Sequence, residues 1–285
     1  MTVRLELVWP NKNKFLLSPT GAAGKPVWVE QDHPAAREVR LTDFTDAVGD
    51  TRPDTERHAD NLLFTGDSID MLRVLTEVPE YARHYSGKVK LVYIDPPFNT
   101  GQTFEHYDDW MEHSTWLSFM RDRLILIKDL LASDGSVWVH LDNAELHRMR
   151  CLADEVFGAE NFLSAIVWKR TGAKSAARRG LGTLYDTILV YGRSSETRLF
   201  PVLAPYSDQY LKTKYNQQDD RGVYRLGPLL APGIRNGDSG MVWQGIDPTS
   251  KGQHWSAPQI AGAYPPDAGE MTTRQKLDHL LAHDY

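Results

Sequence analysis

The chain has a single cysteine, Cys151, in 285 residues. One cysteine excludes an intramolecular disulfide and a cysteine-based zinc site. Cys151 falls inside a helical pattern and reads as a small core residue. Long apolar runs are missing as well. No stretch reaches membrane-spanning length and no signal-peptide core opens the chain, so the expectation is a cytoplasmic protein with no membrane role. Neither a G-x-S-x-G elbow nor a Walker loop occurs, which leaves hydrolase and NTPase chemistry without residues. Positive charge is in deficit, with a net charge of −6. Contact with a polyanion must therefore come from a local basic patch. The rest is ordinary for a globular protein: 41% hydrophobic and 25% charged residues, over a length that allows one large or two small domains.

What is present centres on residues 89–101, VKLVYIDPPFNTG. Leu91, Val92, Tyr93 and Ile94 form a short run that reads as a buried parallel strand. Asp95 ends it, and Pro96 and Pro97 stop it, because neither proline has an N–H to donate and Pro97 keeps Pro96 extended. The result is a stiff turn at the carboxyl end of a strand, where open α/β sheets bind ligands. It presents a carboxylate (Asp95), a carbonyl (Pro96) and an aromatic face (Phe98) within four residues. An exocyclic amine of a nucleobase has two N–H bonds. Asp95 and the Pro96 carbonyl can each accept one while Phe98 stacks on the ring. Two acceptors localise the nitrogen lone pair and make it a better nucleophile towards a methyl donor. The plain alternative is a proline-capped surface loop; the strand before it and Phe98 after it weigh against that.

Asp95-Pro96-Pro97-Phe98, followed by Asn99, Thr100 and Gly101, resembles the catalytic motif of amino-methylating DNA methyltransferases. It looks most like the β-class adenine enzymes, which include the modification subunits of type III restriction systems. The resemblance covers residues 60–200 and continues more loosely to the C-terminus. It implies S-adenosylmethionine as donor, double-stranded DNA as partner, a flipped target base, and catalytic roles for Asp95, Pro96, Pro97 and Phe98. It also implies a Rossmann-like, doubly wound α/β sheet, a restriction subunit as a further partner and a homo-oligomer in the full-length form. Cytosine-amine methylation uses the same geometry, although such family members more often have Ser in place of Asp95.

Residues 1–60 read as an N-terminal extension and linker. Strands at 5–9 and 14–18 would form a hairpin across Pro10-Asn11-Lys12-Asn13, with a further strand at 25–29. A strand at 61–65 leads into Gly66-Asp67-Ser68 and a helix marked by Ile69, Leu72, Val74 and Leu75, with Asp67 or Ser68 as N-cap. By resemblance, Gly66 and Asp67 lie beside the donor's adenine, and Asp95 completes the cofactor-binding set. The loop 98–113 carries Phe104, Tyr107 and Trp110; it could fold over a flipped base or pack on itself as a surface loop. Ser114 or Thr115 should cap a helix to about Ala132, a strand should follow at 136–141, and Asn143 should cap a helix ended by Gly158. This β-α-β-α alternation supports the doubly wound sheet. His140, Asp142 and His147 do not converge with a further ligand, so no metal site is expected.

Strands at 162–168 and 186–191 flank an arm, 169–183, with Lys169, Arg170, Lys174, Arg178 and Arg179 and no acidic residue. This is the one strong basic cluster, and DNA phosphates are its expected partners. Residues 198–285 change character, with short strands at 223–226 and 241–243 and a helix at 272–283, and resemble the family's target-recognition insert. The division is thus 1–60 extension, 61–197 catalytic, 198–285 recognition. The family's F-x-G-x-G turn, which cradles the methionine part of the donor, finds no match after residue 200. The expectation is an N-terminal portion of a longer enzyme, or half of a split one, with an incomplete sheet. Two other readings stay open: methylation of RNA or of a protein glutamine, and a DNA-binding subunit without a donor pocket.

Overall fold

The computed structural model describes residues 6–18, 25–100, 102–103, 108–109, 111–170, 184–200, 202–260 and 262–285. The chain divides into two compact units, Met1–Phe200 and Pro201–Tyr285.

The first unit is built on helix α3 (His113–Leu130). Trp116, Leu117, Met120, Leu124, Ile127 and Leu130 recur at helical spacing and all are buried. Its N-cap is Glu112, not Ser114 or Thr115 as expected: the Glu112 carboxylate accepts the Ser114 N–H at 3.1 Å and also takes the Ser114 hydroxyl. Before α3 come β1 (Lys14–Ser18), β2 (Val27–Glu30), α1 (Ser68–Glu77), α2 (Pro79–Tyr85) and β3 (Val89–Ile94). The short antiparallel pair β4 (Gln102–Thr103) and β5 (Asp108–Asp109) follows β3. After α3 come β6 (Leu131–Leu141), α4 (Leu146–Phe157), β7 (Phe162–Lys169) and β8 (Tyr185–Gly192).

The main sheet has four strands in the order β3-β6-β8-β7. Only β3 and β6 run parallel; β8 is antiparallel to both β6 and β7. The unit is α/β as expected, and its sheet is mixed. Two features explain this. The parallel pair is joined through α3, as parallel neighbours require, whereas β7 pairs with the next strand in sequence, so β8 must return antiparallel. The helices also serve one face. Residues of α3 and α4 share a single core with Val137, Val139, Leu141, Leu189 and Tyr191. On the opposite face Leu91 and Tyr93 are 54% and 48% exposed.

Two strands expected in this unit are not formed among the described residues. Residues 61–65 have no strand pairing, and Leu63 is 93% exposed, because β3 ends the sheet on that side. Residues 6–9 do not pair with β1 either. Trp9 instead enters the core, where its Nε1 donates to Ser118 Oγ at 2.8 Å. β1 pairs with β2, and Arg121 of α3 donates to the Lys14 carbonyl at 2.6 Å, tying the ribbon to the helix. Asn143 does not cap α4. The helix starts after Glu145, and Asp142 takes the Ala144 N–H at 2.7 Å to form the turn; Gly158, with φ 97°, ends the helix as expected.

The second unit contains α5 (Asp208–Lys214), the hairpin β9 (Gln217–Asp219) and β10 (Gly222–Tyr224), the pair β11 (Leu230–Pro232) and β12 (Gln253–Trp255), and α6 (Thr273–Ala282). Its core packs Trp243 against Trp255, edge to face, with Leu277 of α6. Residues 241–243 are not a strand. Trp243 makes one isolated bridge to Ile246 and donates its Nε1 to Asp278 at 2.7 Å. Thr272 and Gln275 close a capping box at the start of α6. Among the described residues, no helix is long and apolar enough to cross a membrane.

Candidate active site

The Asp95–Phe98 turn leaves the carboxyl end of β3, the strand at the sheet edge. Asp95 is exposed, whereas Pro96, Pro97 and Phe98 are half-buried. The turn is held from below at two points. Trp116 of α3 donates its Nε1 to the Pro97 carbonyl at 2.8 Å. Asn99 is buried and adopts the left-handed conformation, φ 61°, which asparagine tolerates better than most residues. Its Oδ1 accepts the Met111 N–H at 2.6 Å, and its Nδ2 donates to Glu145 Oε1 at 2.6 Å. Glu145, fully buried, also meets His113 Nδ1 at 2.5 Å and Arg148 Nη1 at 3.0 Å.

A row of polar groups crosses the sheet at the same end. Tyr93 Oη lies 2.8 Å from His140 Nδ1, and His140 Nε2 lies 3.2 Å from Asp186 Oδ2. Arg170 donates to Asp186 Oδ1 at 3.1 Å. Tyr93, His140 and Asp186 belong to β3, β6 and β8, neighbours in the sheet, and Arg170 directly follows β7. Burial, then the Asp95 and Asp186 carboxylates, push the Tyr93 hydroxyl above the usual phenol range, so it keeps its proton at neutral pH. The Phe98 ring packs against His140.

Asp67 caps α1 by accepting the Ile69 N–H at 3.0 Å. The same Oδ1 is paired with Arg123, whose Nε donates to Ser68 Oγ at 2.8 Å. Gly66 precedes it with φ 136°, a conformation that suits glycine. Asp67, Ile69, Arg40, Arg73, Phe119 and Arg123 line a cleft of about 70 Å³. Small-molecule sites run from about 300 Å³ upward. The cleft is therefore too small to enclose a small molecule by itself.

Of the basic arm, Lys169 ends β7 and Arg170 makes the ion pair just given, while Lys174, Arg178 and Arg179 lie outside the described residues. Among the described residues, no three potential ligands are grouped to hold a metal, and His140 is engaged by Tyr93 and Asp186. Reading the motif alone passes over Glu145 and Asp186. The signals for them are slight: an acid directly before a helix, and an acid opening the apolar run ILVY.

Residues 89–265 match the family model N6_N4_Mtase, described as DNA methylase. The chain belongs to this DNA methylase family. The Type II methyltransferase M.EcaI of Enterobacter cloacae is 33% identical over 201 residues, 68% of this chain and 42% of that protein. The probable type III restriction-modification enzyme HindVI Mod subunit of Haemophilus influenzae is 37% identical over 179 residues, 61% of this chain and 22% of that one. The StyLTI Mod subunit of Salmonella typhimurium is 29% identical over 213 residues, covering 64% and 31%. The chain thus spans less than half the length of these three relatives. Within this DNA methylase family member, the Asp95–Phe98 turn, Glu145 and Asp186 lie inside the matched span, and Gly66 and Asp67 precede it.

Proposed function

We propose that the chain carries the catalytic turn of a site-specific DNA methyltransferase that moves a methyl group from S-adenosylmethionine to the exocyclic amine of adenine in double-stranded DNA. The observation that supports it is the Asp95–Phe98 turn, with an exposed carboxylate and a half-buried ring at the carboxyl end of a parallel-paired strand. Asp95 and the Pro96 carbonyl accept the two amine hydrogens, and Phe98 stacks on the flipped base. The donor supplies an electrophilic methyl carbon. As the N–C bond forms and the methyl–sulfur bond breaks to leave a neutral thioether, the nitrogen takes on positive charge, which the Asp95 carboxylate stabilises until the surplus amine proton leaves to solvent. Gly66 and Asp67 are assigned to the adenine edge of the donor, in keeping with the small cleft beside them.

Of the arm, Lys169, Lys174, Arg178 and Arg179 are assigned to DNA phosphates, while Arg170, grouped with them in the sequence, is held by Asp186; residues 198–285 are assigned to target recognition, after the catalytic part 61–197 and the extension 1–60. Relatives named as Mod subunits of type III restriction-modification enzymes favour a restriction subunit as partner; a homo-oligomeric full-length form and a cytoplasmic setting belong to the same proposal and rest on the motif resemblance alone. Adenine is preferred to cytosine because Asp95, not serine, opens the motif.

The test is transfer of labelled methyl groups from the donor to duplex DNA by the full-length or reconstituted enzyme that carries this chain, followed by digestion and chromatography of the nucleosides. N6-methyladenine is the expected product. N4-methylcytosine would reassign the base, and absence of label in DNA would overturn the reading.

A further inference from the structure

Glu145 stands directly before α4, at the position whose side chain can cap the helix. It does not: no side-chain cap bond forms, and its backbone sits at φ −116°, ψ 0°. The fully buried carboxylate turns instead to Asn99, His113 and Arg148. Three donors satisfy it, from the catalytic turn, from the first residue of α3 and from α4 one turn on. A buried carboxylate is costly unless it is paired and hydrogen-bonded in this way.

Its first partner, Asn99, directly follows Phe98. Asn99 is in the left-handed conformation, φ 61°, immediately after the aromatic residue. The Asn99 side chain bonds at both ends, donating to Glu145 and accepting from Met111. A side chain gripped at both ends fixes the backbone that bears it.

We propose that Glu145 is the positioning residue of the Asp95–Phe98 turn: through Asn99 it sets where Phe98 and Asp95 stand relative to the bound base. Glu145 acts through Asn99 and touches no substrate. The inference rests on the methyltransferase reading for its kinetic consequence, but the contact itself can be tested without it.

The test compares Asn99→Gly, Glu145→Ala and the double variant in the full chain. Glycine adopts φ 61° readily, so Asn99→Gly removes the two side-chain bonds and leaves the backbone conformation accessible. Methyl transfer should lose roughly tenfold to a hundredfold in kcat, as small misplacements of reacting groups do, while KM for DNA stays within about twofold. Glu145→Ala should lose a similar factor, and the double variant clearly less than the product of the two, because the Asn99–Glu145 contact is common to both. Wild-type kcat in Asn99→Gly, or a double variant that loses the product of the two single factors, would overturn the proposal.

Hydrogen exchange at the Met111 amide supplies a readout independent of catalysis. It should accelerate in Asn99→Gly and also in Glu145→Ala, which leaves Met111 its acceptor but frees the Asn99 side chain to move. Unchanged Met111 exchange in Glu145→Ala refutes the proposal even if the wild-type chain transfers no methyl group. Should Glu145→Ala fail to fold, Glu145→Met, which fills the same space but offers no carboxylate, takes its place with the same two readouts and the same overturning results.

Discussion

The rings of Phe98 and His140 lie 5.7 Å apart, centroid to centroid, inclined at 45°. Phe98 sits on the turn after β3, and His140 near the end of β6, its parallel neighbour. The imidazole is fixed between Tyr93 and Asp186, so it forms a stiff wall on one side of the Phe98 ring. A ring supported in this way can stack on an extruded base without first ordering itself.

Phe98→Ala should lose on the order of 1–3 kcal/mol of base stacking, whereas Phe98→Tyr keeps the ring and should be tolerated. A fluorescent base analogue at the target position reports extrusion. An unchanged signal in Phe98→Ala would contradict the stacking role.

Asp95→Ala should abolish methyl transfer while leaving DNA affinity close to wild type, because the carboxylate acts on the amine and not on the duplex. Asp95→Asn should fail as well. An amide keeps an acceptor but loses the charge that stabilises the developing ammonium. Turnover near wild type in either variant would remove Asp95 from the mechanism; gel-shift titration supplies the affinity.

The Asp95–Phe98 turn was legible because two prolines after an apolar run dictate both where a strand stops and what its carbonyls are free to do. The helices α3, α4 and α6 were legible from period, and the Gly158 stop from backbone chemistry. Pairing partners were not legible. Residues 61–65 and 241–243 are apolar enough for strands, but a strand needs a neighbour, and the apolar pattern does not say whether one stands beside it. Trp9 and Trp243 go to packed cores and not to a ladder. The cap of α3 was misplaced because Ser114 and Thr115 both have the right chemistry; Glu112 is set one residue before the helix, and Ser114 donates to it. Glu145 lay beyond sequence reasoning for another reason: its partners Asn99 and His113 are 46 and 32 residues away.

The Glu112 cap predicts a pH dependence. The hydrogen bond from the Ser114 hydroxyl, foremost, with backbone N–H groups of Ser114 and Thr115 and the nearby His113, holds the Glu112 carboxyl below the usual glutamate range. A depressed carboxyl pKa means the unfolded state binds the proton more readily. The stabilisation is therefore present above about pH 4.5 and is lost as pH falls through the folded-state value. Glu112→Gln should lower stability near neutral pH by about 0.5–2 kcal/mol, the usual range for a lost cap, and should flatten the acid limb of the melting-temperature profile. Equal acid limbs in the two proteins would show that Glu112 contributes nothing through its charge.

The last prediction separates Arg170 from the rest of the basic arm. Each phosphate contact released from DNA changes the slope of log affinity against log salt by roughly 0.9. Neutralising Arg178 and Arg179 together should therefore reduce that slope by nearly 2 units and weaken binding about equally on target and random duplexes, because phosphates have no sequence. Arg170 differs in its starting state. Its guanidinium is already bonded to Asp186, which is 3% exposed, and releasing it would leave a buried carboxylate with His140 as its remaining partner in the row. Arg170→Ala should accordingly change the salt slope little. It should act instead on the Asp186–His140–Tyr93 row, and so on kcat. Asp186→Asn, which weakens the hold on Arg170 while keeping a hydrogen-bonding side chain, should steepen the salt slope if the freed guanidinium turns to the duplex. A slope that falls by a full contact in Arg170→Ala would show that DNA takes Arg170 from Asp186 on binding, and that the row is open in the complex.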